Sequence, residues 1–297
     1  VRPTVIAERV DRGVAALDRW LFVPGPAGRV RATRALLAAL MAVRIGLGPY
    51  RGLAEQPAAL FHPVWFLRWL PHMPSLAVIV ALQVLGVGAA LLAVAGWRER
   101  WTFAAAWASL LVLGGLRASR GKVIHNDVLL LLVGFVVLLA PVGLRWLDRR
   151  RRPDAGWPVQ GAIAVVGGAY FLTGFQKVVA GPVWTWILSD NLRNVMYRAA
   201  QTGKAPTDWF ALAIADRPWL SHVVAAATIA LELSGALVWR CPRYRPWFVA
   251  AVAAMHLGIY LTHGLDYSAW ALTAAIVLLD WSHPLPSLRQ RVEVVST

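Results

Sequence analysis

Acidic residues are scarce in this chain: 15 Asp and Glu stand against 30 Lys and Arg over 297 residues, a formal net charge of +15. Charged residues of both signs fill only 15% of positions, and cysteine is reduced to Cys241 alone. One cysteine excludes an intrachain disulfide framework and any cysteine-rich metal site, and leaves the redox compartment open. The glycine-rich phosphate loop, nucleophile elbow, zincin helix and cysteine pair that announce common chemistries are all missing. The first residues also lack the short basic stretch and immediate apolar core of a cleavable signal peptide, because Glu8, Asp11 and Asp18 are scattered among the arginines. The first long apolar run is therefore expected to serve as the insertion signal.

Hydrophobic residues are what is abundant, at 58% of positions with a mean hydropathy of +0.56. Apolar runs fall at 33–49, 75–96, 101–116, 127–147, 159–177, 220–239, 246–263 and 267–281. A helix needs roughly 20 apolar residues to cross about 30 Å of hydrocarbon, where every backbone polar group must be satisfied internally. A membrane barrel would show short alternating strands instead. The expectation is an all-α, polytopic bundle of about eight spans forming one domain over 1–297. An amphipathic helix along the headgroups is expected within 1–30, ended by Pro24 and Pro26. Residues 178–219 mix Trp184, Trp186, Trp209 and Phe210 with polar residues and read as interfacial helices, capped by Ser189 or Asp190 and by Thr207 with Asp208.

A pI near 11.3 falls in the range of nucleic-acid binders. Here the arginines lie between apolar runs and no reader motif accompanies them, so membrane lipids are the expected partner and nucleic acid is not. Alternate loops collect most of the positive charge, including Arg2, Arg98, Arg100, Arg149 to Arg152, Arg240, Arg243, Arg245, Arg289 and Arg291. The other set, with Arg51, Arg117, Lys122, Lys177, Arg193 and Lys204, holds about half as many, which places both termini in the cytoplasm.

Ionisable residues within spans are costly and so are functional candidates. They are Arg44, His125, Asp127, Lys177, Glu232, His256 and His263, and the alternation of spans sends five of the seven to one outer level. Lys177 is followed by Val178, Val179, Ala180 and Gly181 rather than by a hydrophilic loop, which makes it a candidate base, with snorkelling to the interface as the competing reading. His256 and His263 share a helix face but lack a third ligand, so core histidines are favoured over metal ligands and no metal is assigned. A buried Glu232 calls for a cationic partner, for which Arg44 is the candidate. Asp127 suits the N-terminus of the fourth span.

The stretch Ala169-Tyr170-Phe171-Leu172-Thr173-Gly174-Phe175-Gln176-Lys177-Val178, followed by Trp184 and Trp186, resembles an aromatic-rich helix of the vitamin K-dependent γ-carboxylase-like family, also called HTTM. Val43-Arg44-Ile45-Gly46, Ile124-His125-Asn126-Asp127 through Pro141, Glu232-Leu233-Ser234-Gly235 and Met255-His256-Leu257 are similar, in order, to further family segments. The resemblance implies catalytic roles for Lys177, as the base meeting a reduced quinone, and for His125, which assists carboxylation. Arg44, Asp127, Glu232, His256, His263 and Trp184 would then surround the cofactor. That cofactor would be a reduced naphthoquinone of the menaquinone or vitamin K type, with O2 and CO2 as co-substrates, in a bacterial cytoplasmic membrane. The animal relatives carry paired lysines where Gln176-Lys177 stands here, and a large lumenal substrate-binding region that has no counterpart before Thr297. A peptide or small substrate thus remains open. The other class of reading is a non-catalytic membrane subunit, docking a secreted peptide or membrane protein through the Trp-rich segment.

Overall fold

The computed structural model describes residues 3–121 and 125–281; Arg2, Lys122, Ile124, Arg289 and Arg291 lie outside them. The chain folds as helices. In order they are α1 (Pro3–Leu21), α2 (Ala27–Leu47), α3 (Leu76–Ala95), α4 (Glu99–Ala118), α5 (Val128–Leu138), α6 (Pro153–Val179), α7 (Val183–Ile187), α8 (Asn191–Gln201), α9 (Asp208–Ala215), α10 (Pro218–Leu233), α11 (Leu237–Arg240), α12 (Arg245–His263) and α13 (Ser268–Leu278). A two-residue strand, β1 (Gly25–Pro26), pairs antiparallel with β2 (Arg151–Arg152).

Four stretches, Leu76–Ala95, Glu99–Ala118, Pro153–Val179 and Pro218–Arg240, are long and apolar enough to cross a membrane. Each of the eight apolar runs holds a helix, but α5 and α13 have 11 residues apiece. At 1.5 Å per residue that is about 16 Å, roughly half of a hydrocarbon core. The helix expected to fill 127–147 stops early because Pro141 lacks an N–H to continue it and Gly143 turns the backbone left-handed at φ 74°. α1 ends at Leu21, ahead of the two prolines. In the 178–219 segment Asp190 and Thr207 stand at the N-cap positions of α8 and α9, yet neither side chain caps. Asp190 pairs with Arg193, and Thr207 Oγ1 donates to Leu261 O on α12. α8 and α9 bury a small core of their own, centred on Met196, Ala211 and Ile214.

α2 is the helix around which the others are placed, packing on α3, α4, α5, α6 and α13. It carries arginines at 29, 31, 34 and 44, which a lipid-facing helix would not tolerate but a central one can use. Its N-terminal arginines satisfy the carbonyls that helix ends leave without partners. Arg31 donates to Val94 O at the end of α3, Arg29 to Val277 O at the end of α13, and Arg34 to Val137 O, Ala140 O and Pro141 O at the end of α5. Arg34 is 1% exposed and also meets Glu99 at 3.1 Å. The Glu99 carboxylate accepts in turn from Gly143 N. The free N–H groups of α2 itself go to the loop before α6, Ala27 N to Arg150 O and Gly28 N to Asp148 O. A Cβ at Gly28 would lie 2.2 Å from Trp146 O, so only glycine permits this approach. These contacts bring the end of α3, the turn after α5 and the Asp148–Arg152 loop to the N-terminal end of α2.

Replacing Arg34 with Met removes the donor to Ala140 O and Pro141 O and one of two donors to Val137 O, and leaves Arg31 as the remaining cation on Glu99. The expected loss is about 3–5 kcal/mol of stability, measured by thermal unfolding in detergent, with R34M/E99Q losing less than the sum of the single variants. A loss below about 1 kcal/mol, the worth of an exposed pair, would refute the capping role.

Candidate functional site

Two polar clusters lie toward the other end of the bundle, where α2 finishes. The first is organised by Arg44. Its Nε donates to Asp127 Oδ1 and its Nη1 to Asp266 Oδ2, each at 2.6 Å. Asp127 immediately precedes α5 and Asp266 lies just ahead of α13, so one guanidinium ties together the N-termini of the two short helices. Both carboxylates also sit where a helix dipole favours negative charge. Asp127 occupies the N-cap position, as expected, but spends its side chain on Arg44 instead of on a backbone N–H. Asp266 accepts from Ser268 N at 2.9 Å, and its backbone carbonyl accepts from the Asn126 amide. Although burial pushes the Asp266 carboxyl up, the hydrogen bonds from Ser268 and Arg44 hold it at about 2. Next to it, burial and the Asp127 charge push the Tyr50 phenol up to about 12.

A cavity of about 630 Å³ opens beside this ion triad, with Arg44, Arg117, His125, Asn126, Asp266 and Tyr267 on its wall. His125 is exposed there, and its backbone carbonyl accepts from Trp270 Nε1 at 2.8 Å.

The second cluster is the Lys177–Glu232 pair. Lys177 Nζ donates to both carboxylate oxygens of Glu232, at 2.6 and 2.5 Å, and lies 5.1 Å from the centre of the Trp186 ring, in cation–π range. The pair exists because α6 and α10 approach unusually closely. A Cβ on Gly174 would come within 2.8 Å of Glu232 Cβ, and one on Gly167 within 2.7 Å of Gly235 O. Gly167 and Gly174 are seven apart and so share a face, the small-residue contact by which membrane helices pack backbone to backbone. On the other flank of α6, Leu172 and Phe175 are exposed, and Phe171 stacks on Phe175 with centroids 5.7 Å apart.

Between the clusters runs a buried aromatic seam. Tyr170 Oη and His256 Nε2 are hydrogen-bonded at 2.9 Å. The Tyr170 ring meets Phe248 and Trp270 edge-on, and His256 packs on Tyr267. His256 Nδ1 is shut off from solvent and has no hydrogen-bond partner among the described residues. Since Trp270 reaches the His125 carbonyl, the seam links the helix bearing Lys177 to the wall of the cavity.

Several expectations need correction. Glu232 pairs with Lys177, not with Arg44, whose two partners are both aspartates. The Lys177 ammonium is held by the carboxylate of the neighbouring helix. Lys177 and His125 do not meet: one sits in the α6–α10 contact and the other on the Arg44 cavity. His263 is apart from the Tyr170–His256 pair and bonds to the adjacent Thr262 Oγ1. Among the described residues no group of three potential metal ligands forms. Trp184 is 61% exposed, and Trp186 is the ring on the lysine. Tyr170, Trp270 and Asp266 were not singled out from sequence. Asp266 had a visible signal, as a lone acid between two apolar runs, which assignment to a loop obscured.

Compared with known proteins, the chain matches no protein-family model, no curated protein and no solved structure.

Two outcomes follow from this geometry. Asp266 has a folded-state pKa below its ordinary 3.8, so its contribution to stability is complete above about pH 4 and fades as pH falls toward about 2. The stability gap between the native chain and D266N should therefore be constant above pH 4 and shrink below it; a gap that does not depend on pH between 4 and 2 would contradict the pairing. Gly174→Leu should force α6 and α10 apart and break the Lys177–Glu232 contact while the helical circular dichroism signal is kept. Cross-linking of cysteines placed at 177 and 232 should then fall at least several-fold, and undiminished cross-linking would show that the glycine contact does not set the pair.

Proposed function

We propose that the protein is an integral-membrane enzyme whose reacting group is the Lys177–Glu232 pair, acting on an amphiphilic compound with acidic hydroxyls that arrives from the lipid. In this it resembles the vitamin K-dependent γ-carboxylase-like family, and a reduced naphthoquinone is the compound we assign. The observation that carries the proposal is an acid–base pair held in the α6–α10 contact with the Trp186 ring beside its ammonium. Apolar, planar surroundings with one ionisable pair fit a quinol headgroup: the rings stack, and the hydroxyl meets the charges.

The pairing reassigns the roles within that chemistry. An ammonium whose protons are committed to Glu232 has no lone pair to offer, so Glu232 is the proton acceptor. Lys177 is the fixed cation that stabilises a developing oxyanion, an arrangement worth more in a water-poor site than in water. A bound quinol would supply two reducing equivalents, with O2 and CO2 as the co-substrates. The Arg44 cavity, with His125 and Asn126 on its wall, is the candidate route for a water-soluble co-substrate or peptide. The same reading takes the eight apolar runs as eight passes with both termini in the cytoplasm of a bacterial cell. α5 completes its pass through non-helical backbone whose Ala140 and Pro141 carbonyls Arg34 satisfies, which hydrocarbon tolerates only inside protein, and Arg29 takes the Val277 carbonyl in the last turn of α13.

The test is oxidation of reduced menaquinone by the purified protein under oxygen. Glu232→Gln and Lys177→Ala should each lower turnover by about 100-fold or more. Lys177→Arg, which keeps the cation, should retain more activity than either. Unchanged turnover in Lys177→Ala, or no naphthoquinone in lipid extracts of the purified protein, would overturn the assignment.

A further inference from the structure

A second crevice, of about 360 Å³, lies at the opposite end of the bundle, where the chain passes from α1 into α2 and from the arginine loop into α6. Its polar wall is Arg29, Arg149, Arg151, Gln160 and Asp280. Three guanidinium groups thus face a single carboxylate, and the wall carries a net charge of +2. Arg151 donates to Pro24 O at 2.7 Å and Arg29 to Val277 O at 3.2 Å, which fixes both side chains. Arg149 is exposed and makes no ion pair or hydrogen bond through its side chain among the described residues. Arg29 Nε and Gln160 Oε1 are both shut off from solvent and bond to nothing among the described residues. The crevice therefore holds uncompensated positive charge and unsatisfied hydrogen-bonding capacity, both of which an anion with a protonated or hydroxylic neighbour would answer.

The rest of the wall decides which anion. Val23, Pro24, Ala155 and Val159 line it, and Phe22, 54% exposed, lies beside it on the chain. A free phosphate has no use for such a surface, whereas a glycerophospholipid brings acyl chains to cover it. The crevice is also rigid. A Cβ at Gly156 would fall 1.6 Å from Val23 O and one at Gly25 2.8 Å from Gly156 Cα, so the two backbones cross in contact, and β1 pairs with β2 directly beside them. We propose that this crevice is a discrete binding site for one anionic phospholipid, with the phosphate held by Arg149 and Arg151 and the glycerol hydroxyls facing Gln160.

Native mass spectrometry of the full chain, released from nanodiscs of equal phosphatidylglycerol and phosphatidylcholine, tests it. The native chain should retain one phosphatidylglycerol in preference to phosphatidylcholine. Arg149→Gln, at a side chain with no bonds to lose, should cut that retention about fivefold without changing the thermal unfolding of the protein, and R149Q/R151Q should cut it further. Arg145→Gln with Arg243→Gln, which removes two exposed charges from the same end but outside the crevice, should leave it unchanged. Equal loss in that control would replace a site with diffuse surface attraction. No preference between the two lipids, or displacement of the lipid by millimolar inorganic phosphate, would also overturn the proposal.

Discussion

The arrangement depends on guanidinium groups buried along α2. Each of the shorter or abruptly ended helices around it leaves carbonyls with no partner in the next turn, and inside a membrane no water is at hand to take them. Arginine suits this task better than lysine because its planar fork can serve several acceptors at once, and Arg34 serves three carbonyls and one carboxylate. About 15 Å up the same helix, given 1.5 Å per residue from Arg34 to Arg44, Arg44 does the converse by holding two aspartates at helix N-termini. α5 therefore has both of its ends tied to one rigid rod, by Arg34 and Arg44, and α13 likewise, by Arg29 and Arg44. Two helices too short to cross hydrocarbon alone become parts of a bundle because α2 terminates them.

The Lys177–Glu232 pair rests on a different principle. No guanidinium network supports it; two glycines on α6 let α10 come near enough for an ammonium and a carboxylate to meet. The pair is neutral as a unit, which is what allows it to stand in a contact between two apolar helices. Because the contact depends on backbone approach, the chemistry of the pair and the packing of α6 on α10 are mechanically one thing. Tyr170, one turn from Gly174 and on the same face as Gly167, carries the packing onward to His256 and Trp270. A change in the α6–α10 spacing would thus reach the Arg44 cavity through rigid rings and not through a flexible loop.

Much of the helical layout was legible because apolar runs of about 20 residues leave little else for a backbone to do. What sequence could not convey was which helix is interior. α2 was read as an ordinary span, although four arginines within 21 residues mark a helix that cannot face lipid. The pairing of charges was equally hidden. Glu232 and Arg44 were matched because each needed a partner, whereas Gly174, inside the very stretch quoted for its resemblance, decides that Lys177 is the nearer one. Tyr170 was overlooked because an aromatic residue in an apolar helix has no sequence mark that separates packing from hydrogen bonding.

The two ends of the molecule are built from the same residue types used in opposite ways. At the Arg44 end Arg44 and Lys177 each have carboxylate partners, so the charge of these two clusters is balanced within the chain. At the other end the cations outnumber the acids, and several are satisfied by backbone carbonyls, which neutralise no charge. An arginine bonded only to carbonyls still projects a full positive charge, so capping α13 with Arg29 solves a hydrogen-bonding problem and creates an electrostatic one. Among the described residues Asp280 is the one carboxylate on the crevice wall, and the lipid proposed there would bring a further anion. Helix termination inside the bundle and lipid attraction at its rim are thus two consequences of using arginine in place of a neutral donor.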